Sequence, residues 1–398
     1  MNFGRSMRKE WALDPGITYL NHGTVGAPPR RVLAAQQAIR DAVERQPSQY
    51  ILRETAKLNH ELLRPGPSRM RLAAAEVAEF LGARESDLAF VDNATTGVNT
   101  VLRSIDFRAG DEILLTDHTY GAVVLTAQHI AGQHGATVRK AEFPPASASP
   151  DAYVEAIAAA LTPRTRIAVL DHITSDSALL LPLARMVACC RAAGVPVLVD
   201  GAHAPGAIPL DLPSLGADWY TGNLHKWAWS PRSCAILWAA PERQKDLHPL
   251  VISWCYGEGF GREFDWTGTR DPSNALAAPE GIAMMRELGV AEVRAYNHQL
   301  AWTGAHRLAQ RWGTTFATPE SMIGTMATLP LPERFGSTRE DAARLRDALL
   351  FEDRIEIQLH AARGGLLVRI SGQIYNDLDD VDRLADAVDA RLAKTVAR

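Results

Sequence analysis

Lysine is scarce in this chain, whose 398 residues hold only Lys9, Lys57, Lys140, Lys226, Lys245 and Lys394. With 42 basic against 46 acidic residues, a formal charge of -4, and no basic block interleaved with aromatic residues, the composition speaks against nucleic acid as a partner. Cysteine is as sparse. Cys189, Cys190, Cys234 and Cys255 form no C-x-x-C and no metal-ligand spacing with His, so reduced thiols are expected, several of them buried, and no metal. Nowhere do about eighteen apolar residues run together, and the opening MNFGRSMRKEWALDPG carries charges where a signal peptide needs an unbroken apolar core. No membrane span is expected, and the chain reads as cytoplasmic. No G-x-G-x-x-G follows the first apolar runs, which sets dinucleotide binding aside.

What is present is ordinary globular usage, 46% hydrophobic and 22% charged, in a length that suits two domains. From about residue 85, short apolar runs, LAFV (88–91), EILLT (112–116), RIAVLD (166–171) and VPVLVD (195–200), alternate with amphipathic stretches at 121–135, 151–161 and 182–193. That alternation predicts parallel βαβ units and an α/β fold. Helices are also expected over 30–45 and 67–83, the latter with Pro65 and Pro67 at its start. A second set, helices at 274–288, 291–312, 338–350 and 380–395 with apolar pieces at 326–330 and 366–370, predicts a smaller α+β domain. The expected division is 20–275 for the large domain, and 1–19 with 276–398 for the small one.

Among the lysines, Lys226 alone has apolar company, in DWYTGNLHKWAWSP, whereas Lys57 reads as lying on a polar helix. Desolvation disfavours an ammonium, so such a lysine becomes a nucleophile toward an aldehyde; the competing reading is a lysine that snorkels past a tryptophan patch. Asp200 ends the strand VPVLVD, where open parallel sheets bind ligands. Lying 26 positions before Lys226, it can keep the pyridine nitrogen of pyridoxal 5'-phosphate (PLP) protonated, unless it merely caps a turn. His203 follows three residues on, within reach of the ring hydroxyl. In VDNATTGVNTVL, Asn93, Thr95, Thr96 and Gly97 open a helix just after LAFV, offering hydroxyls and free amides to a phosphate, or serving as a plain N-cap.

The segment DGAHAPGAIPLDLPSLGADWYTGNLHKW resembles the Asp-x-x-His…His-Lys region of class V, fold-type I PLP enzymes, the group of cysteine desulfurases, kynureninase and isopenicillin N epimerase. YLNHGTVGAPPR, LRE (52–54), DHITS (171–175), GTRD (268–271) and VRIS (368–371) are similar to that group's motifs in the same order, so the resemblance spans nearly the whole chain. It implies a PLP-binding large domain with a mainly parallel central sheet and a smaller α+β domain, in a homodimer. It further implies that Thr95, Asn223 and His225 hold the phosphate with Thr269 of the neighbouring subunit, that Ser175 and His203 lie near the ring hydroxyl, and that Arg369 receives the substrate carboxylate. The residues themselves support the last point: one Arg interrupts the apolar run GGLLVRIS, and a buried guanidinium needs an anion, the alternative being an Asp of this chain. Tyr120, or else His118, is expected to stack on the cofactor ring. Asn21, His22 and Arg53 are candidates for the substrate side.

The segment IEIQLHAARGGLLVRIS holds no cysteine, which disfavours persulfide-forming desulfuration. Three fates remain after Lys226 removes the Cα proton of an amino acid: epimerisation, which the resemblance favours, β-elimination as a C–S lyase, or transamination. Tyr120 is a candidate second proton donor. A non-catalytic PLP-binding regulator is the competing class; such proteins carry a DNA-binding module ahead of the PLP domain, and about twenty residues precede YLNHGT.

Overall fold

The computed structural model describes residues 3–58, 66–362 and 364–396. A short strand β1 (Thr18–Tyr19) precedes the helix Arg30–Arg45, the π-helical segment Ser48–Thr55 and the helix Arg69–Phe80, whose first turn is capped by the Ser68 side chain accepting from the Arg71 amide. Pro65, expected at that helix start, lies outside the described residues.

Seven strands follow: β2 (Leu88–Val91), β3 (Glu112–Thr116), β4 (Thr137–Ala141), β5 (Thr165–Asp171), β6 (Val197–Asp200), β7 (Trp219–Asn223) and β8 (Ala235–Ala239). They form one sheet in the order β2-β8-β7-β6-β5-β3-β4. The pairs β3–β4, β3–β5, β5–β6 and β6–β7 are parallel; the helices Gly121–His134, Pro150–Ala160 and Leu183–Ala192 link β3 to β4, β4 to β5 and β5 to β6, as the alternation predicted, whereas β6 reaches β7 through a connection holding only the 3-10 turn Pro213–Leu215. Both faces are covered. Ile113 and Leu115 enter one apolar cluster while Leu114 enters the other, and Val197 and Val199 lie opposite Leu198 in the same way. This is why the central strands read as unbroken apolar runs. One expectation needs correction: β2 does not extend the parallel set, because β8 runs antiparallel between it and β7.

The second sheet is antiparallel, in the order β11-β12-β9, from β9 (Met326–Pro330), β11 (Gln358–Ala362) and β12 (Gly365–Ser371). It shares an apolar cluster with the helices Val290–Trp312, Arg339–Phe351 and Leu378–Val396. The expected helix 274–288 is broken into Ser273–Leu276 and Ala278–Leu288, because Pro279 has no amide hydrogen to continue the first piece. Strand β10 (Ile355–Glu356) pairs in parallel with β1, tying the beginning of the chain to its C-terminal third.

Candidate active site

The carboxyl ends of the parallel strands open into a cavity of about 300 Å³. Asp171 ends β5, Asp200 ends β6, and Asn223 ends β7 three residues before Lys226. All four line the cavity, with Asn93, Thr95, Tyr120, Ser175, His203, His225 and, from the second sheet, Arg369. The topology thus gathers most of the residues picked out from sequence.

Lys226 is buried, and its Nζ lies 3.2 Å from His203 Nε2. Burial, with some repulsion from Arg369, lowers the amine to about 7. Lys57 is equally buried at 9%, which the sequence did not suggest, and it follows the π-helical segment rather than lying on a polar helix. Its Nζ donates to the Gly66 carbonyl, and among the described residues Lys226 is the lysine that lines the cavity. Burial likewise holds the His203 ring well below its usual range, and its Nδ1 has no protein partner.

Asp200 and Asp171 are adjacent in register, both 4% exposed. Asp200 Oδ1 accepts from the Ala202 amide at 3.0 Å. Burial raises both carboxyls, and repulsion from Asp200 raises Asp171 further; Asp171 Oδ2 is buried without a partner. Two carboxyls so close disfavour ionising together, and Asp171 is the more strongly raised of the two. Sequence reading missed Asp171, although it ends RIAVLD just as Asp200 ends VPVLVD.

The anion cradle is the start of the helix Ala94–Arg103. Asn93 caps it, its Oδ1 accepting from the Thr96 amide at 2.8 Å, and Asn223 Oδ1 accepts from the Ala94 amide at 2.8 Å. Helix and strand touch at Gly97, where a Cβ would come within 2.1 Å of Thr221 Oγ1. Thr95 lines the cavity; the Thr96 hydroxyl instead bonds Asn93 within the turn, a correction to the expectation that it faces the ligand. His225 Nδ1 donates to the Cys234 carbonyl at 2.9 Å, and burial lowers the ring to about 4. A phosphate dianion beside its Nε2 would promote protonation there. These donors, the unpartnered His203 Nδ1 and the buried amine of Lys226 fit PLP.

Arg369, on β12, is fully buried, and burial lowers it to about 10. Its Nη1 donates to the Ser175 carbonyl at 2.6 Å and one Nη2 bond runs to Thr24 Oγ1 at 2.7 Å, while Nε has no partner. No carboxylate lies within ion-pair distance among the described residues, which disfavours the alternative of a structural salt bridge.

Tyr120 lines the cavity and is 47% exposed, whereas His118 bonds Ser177 Oγ at 2.6 Å and packs on Phe143 outside it. Asn21 bonds Glu356 and accepts from Thr24, one step behind the cavity wall. His22 is a correction. It is wholly buried, its Nε2 donates to the Lys226 carbonyl at 2.9 Å and its Nδ1 accepts from Tyr375 at 2.9 Å, so it braces the lysine's backbone and has nothing left for a substrate. Nearby, Gly26 at φ +67° lies so close to the His225 carbonyl that a Cβ would come within 1.8 Å of it. Arg53 is exposed and outside the cavity lining, as is Thr269, which was expected to serve a neighbouring subunit. Sequence reading also missed Thr24, Asp176, Gln358 and His360, which complete the wall beside Arg369.

Known proteins place this geometry. The family model for aminotransferase class V matches residues 48–384. The chain is 34% identical to isopenicillin N epimerase of Streptomyces clavuligerus, over 96% of this chain and 97% of that one. It is 32% identical to putative L-cysteine desulfhydrase 1 of Oryza sativa subsp. japonica, over 96% and 84% respectively. In fold it is similar to a mutant of C-DES with glycine covalently linked to the PLP cofactor, with a TM-score of 0.80 at 24% identity over 96% of this chain and 98% of that one. The sheet topology, the cavity at its strand ends and the match along most of the sequence agree: the chain belongs to the aminotransferase class V family of PLP-dependent enzymes.

Proposed function

We propose that the protein inverts the Cα configuration of an α-amino acid. The observation that carries this reading is the placement of the Lys226 amine, the Arg369 guanidinium and the Tyr120 phenol on the walls of one cavity. PLP, when bound, supplies the carbonyl that captures the substrate amine and the ring that accepts electrons from Cα.

The chain's own residues do the rest. Asp200 holds the ring nitrogen, and the helix start with Thr95, Asn223 and His225 holds the phosphate, with Asn93 fixing the turn. Ser175 and His203 line the side of the ring hydroxyl. Arg369 takes the substrate carboxylate, its fork held open by the Ser175 carbonyl and Thr24. Lys226, neutral above about pH 7, takes the Cα proton. Tyr120 returns one from the other face.

A second reading is β-elimination from a small cysteine derivative. The cavity favours it: about 300 Å³ is at the small end for ligand pockets and must hold cofactor and substrate together. Relatives named L-cysteine desulfhydrase support it too. None of the four cysteines lines the cavity, which speaks against a persulfide route.

We further propose a homodimer: Leu250, Val251, Ile252, Trp254 and Tyr256 form an exposed apolar run suited to a second copy. The division into 20–275 and 1–19 with 276–398 is supported by the separate sheets and by the β1–β10 pairing. No helix among the described residues is long and apolar enough to cross a membrane. We propose a cytoplasmic setting, which the four free cysteines support.

The test is incubation of the holoenzyme with L-amino acids and cysteine conjugates in deuterated water. Deuterium at an inverted Cα is the expected result; pyruvate and ammonia instead select the second reading. A cofactor that borohydride fixes to any residue other than Lys226 would overturn both.

A further inference from the structure

Two buried nitrogens on the second sheet's side of the cavity have no protein partner, Arg369 Nε and His360 Nε2. The antiparallel ladder relates them. Gln358 stands directly across from Arg369, and His360 is two residues further along β11. Side chains two apart share a face of a strand and are separated by about 7 Å. Gln358 and His360 accordingly both line the cavity. Arg369 Nε, left open by Ser175 and Thr24, has the substrate carboxylate to complete it; His360 Nε2 has no such assignment.

The other ring nitrogen fixes the chemistry of this one. His360 Nδ1 lies 3.5 Å from Asp176 Oδ2, and a carboxylate there favours the tautomer with hydrogen on Nδ1. Nε2 then carries a lone pair, a buried hydrogen-bond acceptor in want of a donor on a residue that lines the cavity. A substrate whose carboxylate sat on Arg369 would lie along the wall on which His360 stands two residues beyond the position facing Arg369.

We propose that His360, oriented by Asp176, selects substrates whose side chain carries a hydrogen-bond donor at the γ position, a thiol or hydroxyl, over those that end in a methyl group. This rests on the reading of Arg369 as the carboxylate receptor and of Lys226 as the site of cofactor attachment. A buried acceptor built for such a donor rejects an analogue lacking it, because the nitrogen is then left unpaired.

The near-isosteric pair L-serine and L-2-aminobutyrate tests it, with dissociation constants read from the change each causes in the absorption of the holoenzyme's bound cofactor. Serine should bind about five- to tenfold more tightly. In His360→Leu the preference should fall to near unity while both amino acids still perturb the band. His360→Gln, whose amide oxygen supplies an acceptor, should restore part of it, which separates a lost hydrogen bond from general damage. Equal binding by the unaltered protein, or a preference that survives His360→Leu, would overturn the inference. If no amino acid perturbs the band at all, it is the underlying reading of the site that fails, and this one with it.

Discussion

The Lys226 amine and the His203 ring meet at 3.2 Å, both buried, with the lysine ending at about 7 and the histidine well below its usual range. Two nitrogens so placed cannot both carry charge comfortably, and the contact works as an amine donating to a ring lone pair. Stability should report it. The unfolded lysine keeps its proton up to about 10.5, whereas the folded one loses it near 7, so between these values the unfolded state binds more protons and unfolding becomes costlier as pH rises. Relative to Lys226→Met, the cofactor-free protein should gain up to about 1.4 kcal/mol per pH unit across that window and nothing below it. Urea titrations of both proteins over this range check it, and a difference that does not vary with pH would refute it.

In the proposed function Arg369 takes the substrate carboxylate, and its fork is held by Ser175 and Thr24 in a way that an ammonium cannot reproduce. Arg369→Lys should weaken amino acids on the order of 100-fold, in keeping with the loss of a buried bidentate contact. The corresponding amines, which lack a carboxylate, should lose almost nothing. Titrating alanine against ethylamine in both proteins decides it: equal losses for the two would place the carboxylate elsewhere.

His22 braces the Lys226 carbonyl and touches no open part of the cavity. Replacing it by Phe leaves that buried carbonyl without its donor, at a cost of about 1–3 kcal/mol in stability. Cofactor retention should suffer with it, while the preference among bound amino acids stays as it was. A changed preference with unchanged stability would return His22 to the substrate side.

Burial and the neighbouring Asp200 raise the Asp171 carboxyl, so an amide should serve in its place. A carboxyl whose folded pKa is raised weakens the fold at every pH above its unfolded value near 3.8, so Asp171→Asn should stabilise the protein at neutral pH and lose that advantage as pH falls toward 4. The cofactor's absorption band should persist in Asp171→Asn and be displaced in Asp200→Asn. Thermal denaturation at two pH values, with the spectra, tests the assignment; an Asp171→Asn protein less stable at neutral pH would sink it.

Legibility in the sequence followed the chemistry of each segment. The buried strands β3, β5 and β6 stood out as apolar runs, but β4 is TVRKA, an edge strand mostly open to water, and carries no such signal. Strand β7, WYTGN, lay hidden inside the segment that drew notice for Lys226. At the site, Lys226 and Asp200 were visible because a charge in apolar company demands a reason. His22 was misplaced because a polar residue in a glycine-rich motif suggests a ligand, and only the fold shows both its nitrogens spent within the protein. His360 could not be found from spacing, since its meaning depends on the ladder that sets Gln358 across from Arg369.

The pairing of Thr18–Tyr19 with Ile355–Glu356 has a bearing on how the enzyme comes into being. The residues that follow β1 supply the brace under Lys226 and, through Thr24, one of the contacts that hold Arg369. On a ribosome the first of these segments emerges early and has no strand to join until Ile355–Glu356 has been made. The large sheet has all its strands by Ala239, whereas the strand partner of the segment that braces its lysine comes only at Ile355–Glu356. The hold of that early segment on Lys226 and Arg369 thus belongs to the fold in which β1 and β10 are paired, and the large sheet alone does not supply it.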